Sequence, residues 1–205
     1  MRIIAGDHGG RRLVAPDGRE TRPTADRVRE AMFSMLGDLT EARVLDLYAG
    51  SGALGIEALS RGAAHAVFVE RNRAALIAIE KNLRALELSA RATVLPFAVE
   101  RSLGRLGKLG PFDLVLVDPP YADVPAGVVA RTLSSLLAEG LARPDGRLLL
   151  EHARRDSAPA LLGARLDRTR RHGETNVSLY DVVGASSPVD EGEHSDAGEP
   201  SRDAQ

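Results

Sequence analysis

The chain has 205 residues, enough for one compact domain with a short appendage, and its 43% apolar and 27% charged residues are ordinary for a soluble globular protein. No apolar run approaches the roughly 20 residues of a membrane helix, and the N-terminus MRIIAGDHGGRR lacks the apolar stretch of a signal peptide. Zero cysteines exclude disulfides, thiolate zinc sites, iron–sulfur clusters and cysteine nucleophiles, and make a cytoplasmic protein the simplest expectation.

In chain order, two short extended candidates come first, Arg2–Ala5 and Arg11–Ala15, around the turn cluster Gly6-Asp7-His8-Gly9-Gly10. That pattern predicts a small hairpin. Thr24 then reads as the N-cap of a helix over ADRVREAMFSML, where Val28, Met32, Phe33, Met35 and Leu36 form an apolar face and Gly37 a stop. After residue 42 the texture changes. Strands are predicted at Arg43–Tyr48, Ala66–Glu70, Ala92–Leu95, Asp113–Val117 and Arg147–Glu151, and helices near Ala53–Ser60, Arg73–Leu86, Val99–Leu106 and Ala126–Glu139. Short apolar strands alternating with crossover helices predict an α/β domain: a doubly wound, mostly parallel sheet covered on both faces. Arg165–Arg171 and Val177–Val183 predict an antiparallel pair at one edge.

Charge divides the chain. Residues 185–205 hold six acids and one arginine, which leaves +3 on residues 1–184. With Val189 as its only large aliphatic residue, this tail cannot offset its ordering entropy and is expected to be disordered. Only Lys81 and Lys108 are lysines among 27 basic residues. Arginine's planar fork suits phosphate, although a compositional bias explains most of the skew. Three units follow: 1–36, a hairpin and helix; 37–184, the main domain; and 185–205, the acidic tail.

The first strand runs into VLDLYAGSGALGIEAL, where Gly50, Gly52 and Gly55 satisfy G-x-G-x-x-G at a strand-to-helix turn. A ligand-free tight turn and a dinucleotide site share that pattern. Two acids narrow the choice. Glu70 closes the second strand, where a carboxylate can accept both hydroxyls of a ribose, whether from a nicotinamide dinucleotide or from S-adenosylmethionine. Asp46, four residues before Gly50, is an unwelcome neighbour for a pyrophosphate and suits a cationic ligand.

The fourth strand delivers Asp118-Pro119-Pro120-Tyr121 to the carboxyl edge of the sheet, where such folds bind ligands. The prolines rigidify the turn, so the Asp118 carboxylate and a backbone carbonyl become a fixed pair of acceptors. Two fixed acceptors can hold an exocyclic amine and favour its attack on a methyl group. Tyr121 offers an aromatic face for a planar base.

The combination DLYAGSGALGIEAL, VFVER and DPPY resembles the S-adenosylmethionine-dependent amino-methyltransferases of the Rossmann-like class I fold. RIIAG, GRRL and TRPTADRVREAMFSML are similar to the bacterial small-subunit ribosomal RNA guanine-N2 methyltransferase family. The resemblance covers about residues 1–183. It implies S-adenosylmethionine over Gly50, Ser51 and Gly52, near Asp46 and Tyr48, with the ribose on Glu70 beside Arg71. It also implies adenine near Phe97 and Ala98, where many relatives have Asp or Asn. Asp118, Pro119, Pro120 and Tyr121 would hold the guanine 2-amino group. Arg2, Arg11, Arg12, Arg22, Arg27 and Arg29 would contact RNA, with Thr24 ordering the chain beside the site. Arg165, Arg168, Arg170 and Arg171 form a second basic patch. The implied partner is small-subunit ribosomal RNA, within an assembling subunit, bound by a monomer.

The five histidines are scattered without ligand spacing, so neither a metal site nor a triad is expected. The competing readings are a DNA adenine methyltransferase, for which the chain has no room for a target-recognition region, and a protein glutamine methyltransferase, which favours Asn where Asp118 stands. A nicotinamide dehydrogenase gives DPPY no role. A non-catalytic RNA-binding module would bind RNA with salt dependence yet consume no cofactor.

Overall fold

The computed structural model describes residues 1–16 and 23–183, so Arg22 and the acidic tail lie outside the described residues. Seven strands form one sheet: β1 (Arg43–Leu47), β2 (His65–Val69), β3 (Ala92–Leu95), β4 (Phe112–Val117), β5 (Ala142–Ala153), β6 (Ala164–His172) and β7 (Thr175–Val182). Their order is β3-β2-β1-β4-β5-β7-β6. The first five run parallel, and β7 pairs antiparallel with both β5 and β6. This is the expected doubly wound sheet with an antiparallel edge.

The apolar runs are buried on both sides, as crossover connections require. Val44, Phe68, Leu114, Leu116, Leu149 and Leu179 face one core, which also takes residues of α1 (Pro23–Ser34), α2 (Ala53–Ser60) and α3 (Arg73–Ala85). Leu45, Leu47, Val67, Val115, Val117, Leu148 and Leu150 face the other, against α4 (Leu103–Leu106) and α5 (Val128–Ala138). No helix among the described residues is long and apolar enough to cross a membrane.

Four local expectations are corrected. The N-terminal hairpin has no strands, only the isolated bridge Arg2–Arg12. The two arms still close on each other, Ile3 N–H donating to the Arg11 carbonyl (3.0 Å), Gly10 N–H to that of Ile3 (2.9 Å) and Leu13 N–H to that of Met1 (3.1 Å), and further backbone bonds go to α2. Glu57 accepts from the N–H groups of Ile4 (2.7 Å) and Ala5 (3.1 Å), and the Ser60 carbonyl accepts from Asp7 N–H at 2.8 Å. Gly6, at φ +80°, lies so close that an added Cβ would fall 1.8 Å from the Ser60 oxygen. Second, α1 starts at Pro23, a favoured first helical residue, so Thr24 is within the helix and not its cap. Third, the helix expected at Val99–Leu106 is a 3₁₀ turn over Val99–Arg101 followed by the short α4. Ser102 separates them, its hydroxyl bonding back to the Val99 carbonyl at 2.7 Å. Fourth, β5 begins at Ala142, and its register with β4 jumps from Phe112–Ala142 to Leu114–Arg147. Asp145 sits there at φ 64°.

The first 36 residues share their core with the rest. Ile3, Leu13, Val28, Met32 and Phe33 are buried against Val44, Ile56 and Leu59. Asn82 of α3 ties the segment to the glycine turn, accepting from Val14 N–H (2.8 Å) and donating to the carbonyls of Val14 (2.9 Å) and Ser51 (3.0 Å).

Candidate active site

Successive strand residues alternate between faces. Asp46, Glu70, Asp118, Glu151 and Thr175 all fall on the parity of the core that holds Val44, Phe68, Leu116, Leu149 and Val177. At the carboxyl edge that core gives way to an open cavity of about 960 Å³, and all five residues line it. The amino-acid period of the strands therefore brings four carboxyl groups to one side of one edge. The N-terminal segment supplies the opposite wall with Met1, Ala15, Val28 and Met32.

The glycine turn is held by the acids around it. Gly55 N–H donates to Asp46 Oδ2 at 2.9 Å, and Gly50 N–H donates to Glu70 Oε2 at 2.8 Å. Glu70 Oε1 accepts from the N–H groups of Arg71 (2.8 Å) and Asn72 (2.7 Å). Three of about four acceptor positions on Glu70 are thus filled by backbone, leaving room for one further donor. Gly55 is required by close approach: a Cβ there would stand 2.4 Å from Phe68 Cε1 and 3.1 Å from Asp46 Oδ2. Tyr48 holds φ 59°, a strained conformation for an aromatic residue, and its hydroxyl lies 3.5 Å from Glu100 Oε1.

Asp46 is 1% exposed, and its Oδ1 is buried without a hydrogen-bond partner. Burial, with lesser contributions from the charges of Asp118 and Glu70 and against the Gly55 hydrogen bond, pushes its carboxyl up to about 8. An acid held protonated in the native state binds a proton that the unfolded chain has already released, so stability falls as pH climbs from about 4 to about 8. Asp46→Asn is therefore expected to be more stable than the parent near pH 8, with the gap closing toward pH 4. Thermal unfolding across that range checks it; parallel curves would contradict it.

The Asp118 turn follows β4 directly, with Pro119 buried and Asp118, Pro120 and Tyr121 exposed. Tyr121 is 45% exposed, and its hydroxyl is 3.3 Å from the hydroxyl of Thr175, which anchors one end of the ring. On the far side of the cavity, Phe97 and Ala98 follow β3, with the Arg105 guanidinium 4.1 Å from the Phe97 ring centroid. Among the described residues no group of His, Cys, Asp or Glu side chains could hold a metal ion.

All the cofactor-site and DPPY residues named from the sequence except Gly52 line this one cavity: Asp46, Tyr48, Gly50, Ser51, Glu70 and Arg71, then Phe97, Ala98 and Asp118 through Tyr121. Gly52 stands behind it at the start of α2. The arginines divide. Arg2, Arg11, Arg12 and Arg27 are exposed, although Arg11 donates to the Ala85 carbonyl at 2.6 Å. Arg29 is a correction: it is 4% exposed, pairs with Asp26 at 2.9 Å and Glu57 at 3.8 Å, and donates to the Arg2 carbonyl. A guanidinium enclosed by its own partners cannot reach a phosphate. Sequence reading missed Glu57, Glu151 and Thr175. Glu151 carried a signal, being a fourth acid at a strand's carboxyl end.

Known proteins resemble the chain over most of its length. The family model described as Conserved hypothetical protein 95 matches residues 1–181. YlbH of Bacillus subtilis (strain 168) is 39% identical over 184 residues, covering 88% of this chain and 98% of that protein. Ribosomal RNA small subunit methyltransferase D of Escherichia coli (strain K12) is 36% identical over 182 residues, covering 88% and 89%. The solved structure of yhhF from Escherichia coli, 35% identical, superposes with a TM-score of 0.76 over 89% of this chain and 98% of that one. The sheet order and these likenesses identify the Rossmann-like class I methyltransferase fold. With nearly its entire described length inside the match, the chain belongs to the Conserved hypothetical protein 95 family.

Proposed function

We propose that the protein transfers a methyl group from S-adenosylmethionine to the exocyclic N2 amine of a guanine in small-subunit ribosomal RNA. The observation that carries this reading is the Asp118-Pro119-Pro120-Tyr121 turn sharing one cavity with the glycine turn at Gly50–Gly52 and with Glu70. The names of the relatives, among them an E. coli small-subunit ribosomal RNA methyltransferase, support the substrate class.

The cavity's charge suits a cation. Asp46, Glu70, Asp118 and Glu151 line it, while Arg29 is committed to Asp26 and Glu57, and Arg71 stands exposed at the rim. A dinucleotide pyrophosphate would meet four acids. A cationic sulfonium favours the charged forms of these acids, Asp46 and Glu151 included, which burial otherwise pushes up to about 8, whereas a pyrophosphate opposes them. When bound there, S-adenosylmethionine would supply an electrophilic methyl group, its methyl–sulfur bond breaking as the new bond forms so that S-adenosylhomocysteine leaves.

The chain's own residues position the acceptor. Asp118 and the Pro119 carbonyl accept the two N–H bonds of the amine, which turns its lone pair toward the methyl group. As the nitrogen forms its new C–N bond it becomes cationic, and the Asp118 carboxylate stabilises that charge in place. The methylated amine is acidic enough to give its proton to water. Tyr121, steadied by Thr175, stacks on the base. The exposed Arg2, Arg12 and Arg27, with Arg165, Arg168, Arg170 and Arg171 along β6, supply phosphate contacts.

Methyl-labelled S-adenosylmethionine with undermodified small subunits, naked ribosomal RNA and duplex DNA tests the reading. Label in RNA, strongest in assembling subunits acted on by a monomer, is the expected result. Label in DNA or protein alone would overturn it.

A further inference from the structure

Glu151 lines the cavity but has no part in the transfer derived above. Its place is set by strand register. Val117 pairs with Leu150, so Asp118 and Glu151 are the next residues of neighbouring chains at the carboxyl edge, near enough for the Asp118 charge to act on Glu151. The two share the parity that faces the cavity, and Thr175 lines it from β7 on the other flank of Glu151.

Two adjacent carboxyl groups face a substrate with a matching pair of donors. On the Watson–Crick edge of guanine, the ring N1–H and the exocyclic N2–H point the same way from neighbouring atoms. Adenine presents a ring acceptor at the corresponding position, and so does cytosine. A carboxylate oxygen set against a ring acceptor loses a hydrogen bond and gains repulsion.

We infer that Glu151 accepts the N1–H of the target guanine while Asp118 holds its N2 amine, so that the pair of acids selects guanine over other amino-bearing bases. This rests on the guanine-N2 reading given above. Burial and then the Asp118 charge push Glu151 up to about 8. An N–H donor on each acid favours their charged, accepting forms, so the two donors of guanine suit the ionised pair and the selectivity is read above that pH.

The test compares guanine with 2-aminopurine at the methylated position of the RNA. 2-Aminopurine keeps the 2-amine but has a ring acceptor in place of N1–H. Wild-type protein is expected to favour guanine in kcat/KM by about 10- to 100-fold. Glu151→Ala is expected to lose about that factor on guanine and little on 2-aminopurine. Each base's intrinsic reactivity cancels, because both proteins see the same pair of substrates. Glu151→Gln, whose amide carbonyl can accept N1–H, is expected to recover most of the selectivity that Ala loses. Should Glu151→Ala fail to fold by thermal melting, Glu151→Leu, closer in size, carries the same comparison. Equal losses on both bases, or an unchanged guanine preference, would overturn the inference and leave the guanine-N2 reading standing. Wild-type protein that forms no N2-methylguanosine at all would remove that reading, and this inference with it.

Discussion

Asp118→Ala is expected to lower methyl transfer by roughly 100- to 1,000-fold with the affinity for S-adenosylmethionine nearly intact. The side chain is exposed at the cavity, so its loss opens no hole in the core. The glycine turn keeps its own anchors, Asp46 at 2.9 Å and Glu70 at 2.8 Å. What disappears is the acceptor that aims the amine and meets the positive charge formed on it. Removing the Asp118 charge also relieves Asp46 and Glu151, both of which it pushes upward. Cofactor titration beside single-turnover transfer separates the two effects. Unimpaired transfer in the variant would contradict the proposed mechanism, and loss of cofactor binding would make Asp118 part of the cofactor site.

The largest effect on stability is expected from Glu57→Ala, at about 3–5 kcal/mol. Glu57 is fully buried and holds four partners: Ile4 N–H, Ala5 N–H, the Arg61 guanidinium at 2.7 Å and Arg29 at 3.8 Å. Removing it takes from Arg29, itself 4% exposed and with an Nε that already lacks a hydrogen-bond partner, one of its two carboxylates, leaving Asp26 at 2.9 Å to carry the buried charge alone. Two backbone N–H groups lose their acceptor as well. A fall in melting temperature of roughly 10 °C or more follows. The damage is directional, because Glu57 fastens the N-terminal segment to α2, and that segment supplies Met1 and Ala15 to the cavity wall. Hydrogen exchange should show residues 1–16 losing protection before the sheet does. Uniform loss of protection would show that the segment and the sheet unfold together.

These two residues mark where the sequence was transparent and where it was not. Asp118 was legible because it follows a continuous apolar run, FDLVLV, and precedes two prolines, so strand, edge and turn are written in consecutive residues. The same local writing gave five parallel strands within a residue or so at most ends. Glu57 was not legible. In GIEAL it reads as one polar position of a short helix, and its partners lie 52 and 53 residues away. Arg29 read as part of a basic surface for the same reason: composition shows charge, while burial depends on which distant acid is met. The N-terminal hairpin closes where its turn cluster indicates, through the Arg2–Arg12 bridge and its own backbone bonds, but the Glu57 and Ser60 contacts that fasten it to α2 lie far along the chain and were not legible. Glu151 was visible as a strand residue, and only the register of β4 with β5 puts it beside Asp118. Local pattern therefore located the site, and long-range register completed it.

The chemical identity of the methylated product tests the proposed transfer most directly. Undermodified small ribosomal subunits, treated with the protein and methyl-labelled S-adenosylmethionine, should be digested to nucleosides and separated against standards. Label is expected in N2-methylguanosine alone, from a single position of the RNA. Label in N6-methyladenosine, in another methylguanosine, or in protein would contradict the proposed transfer.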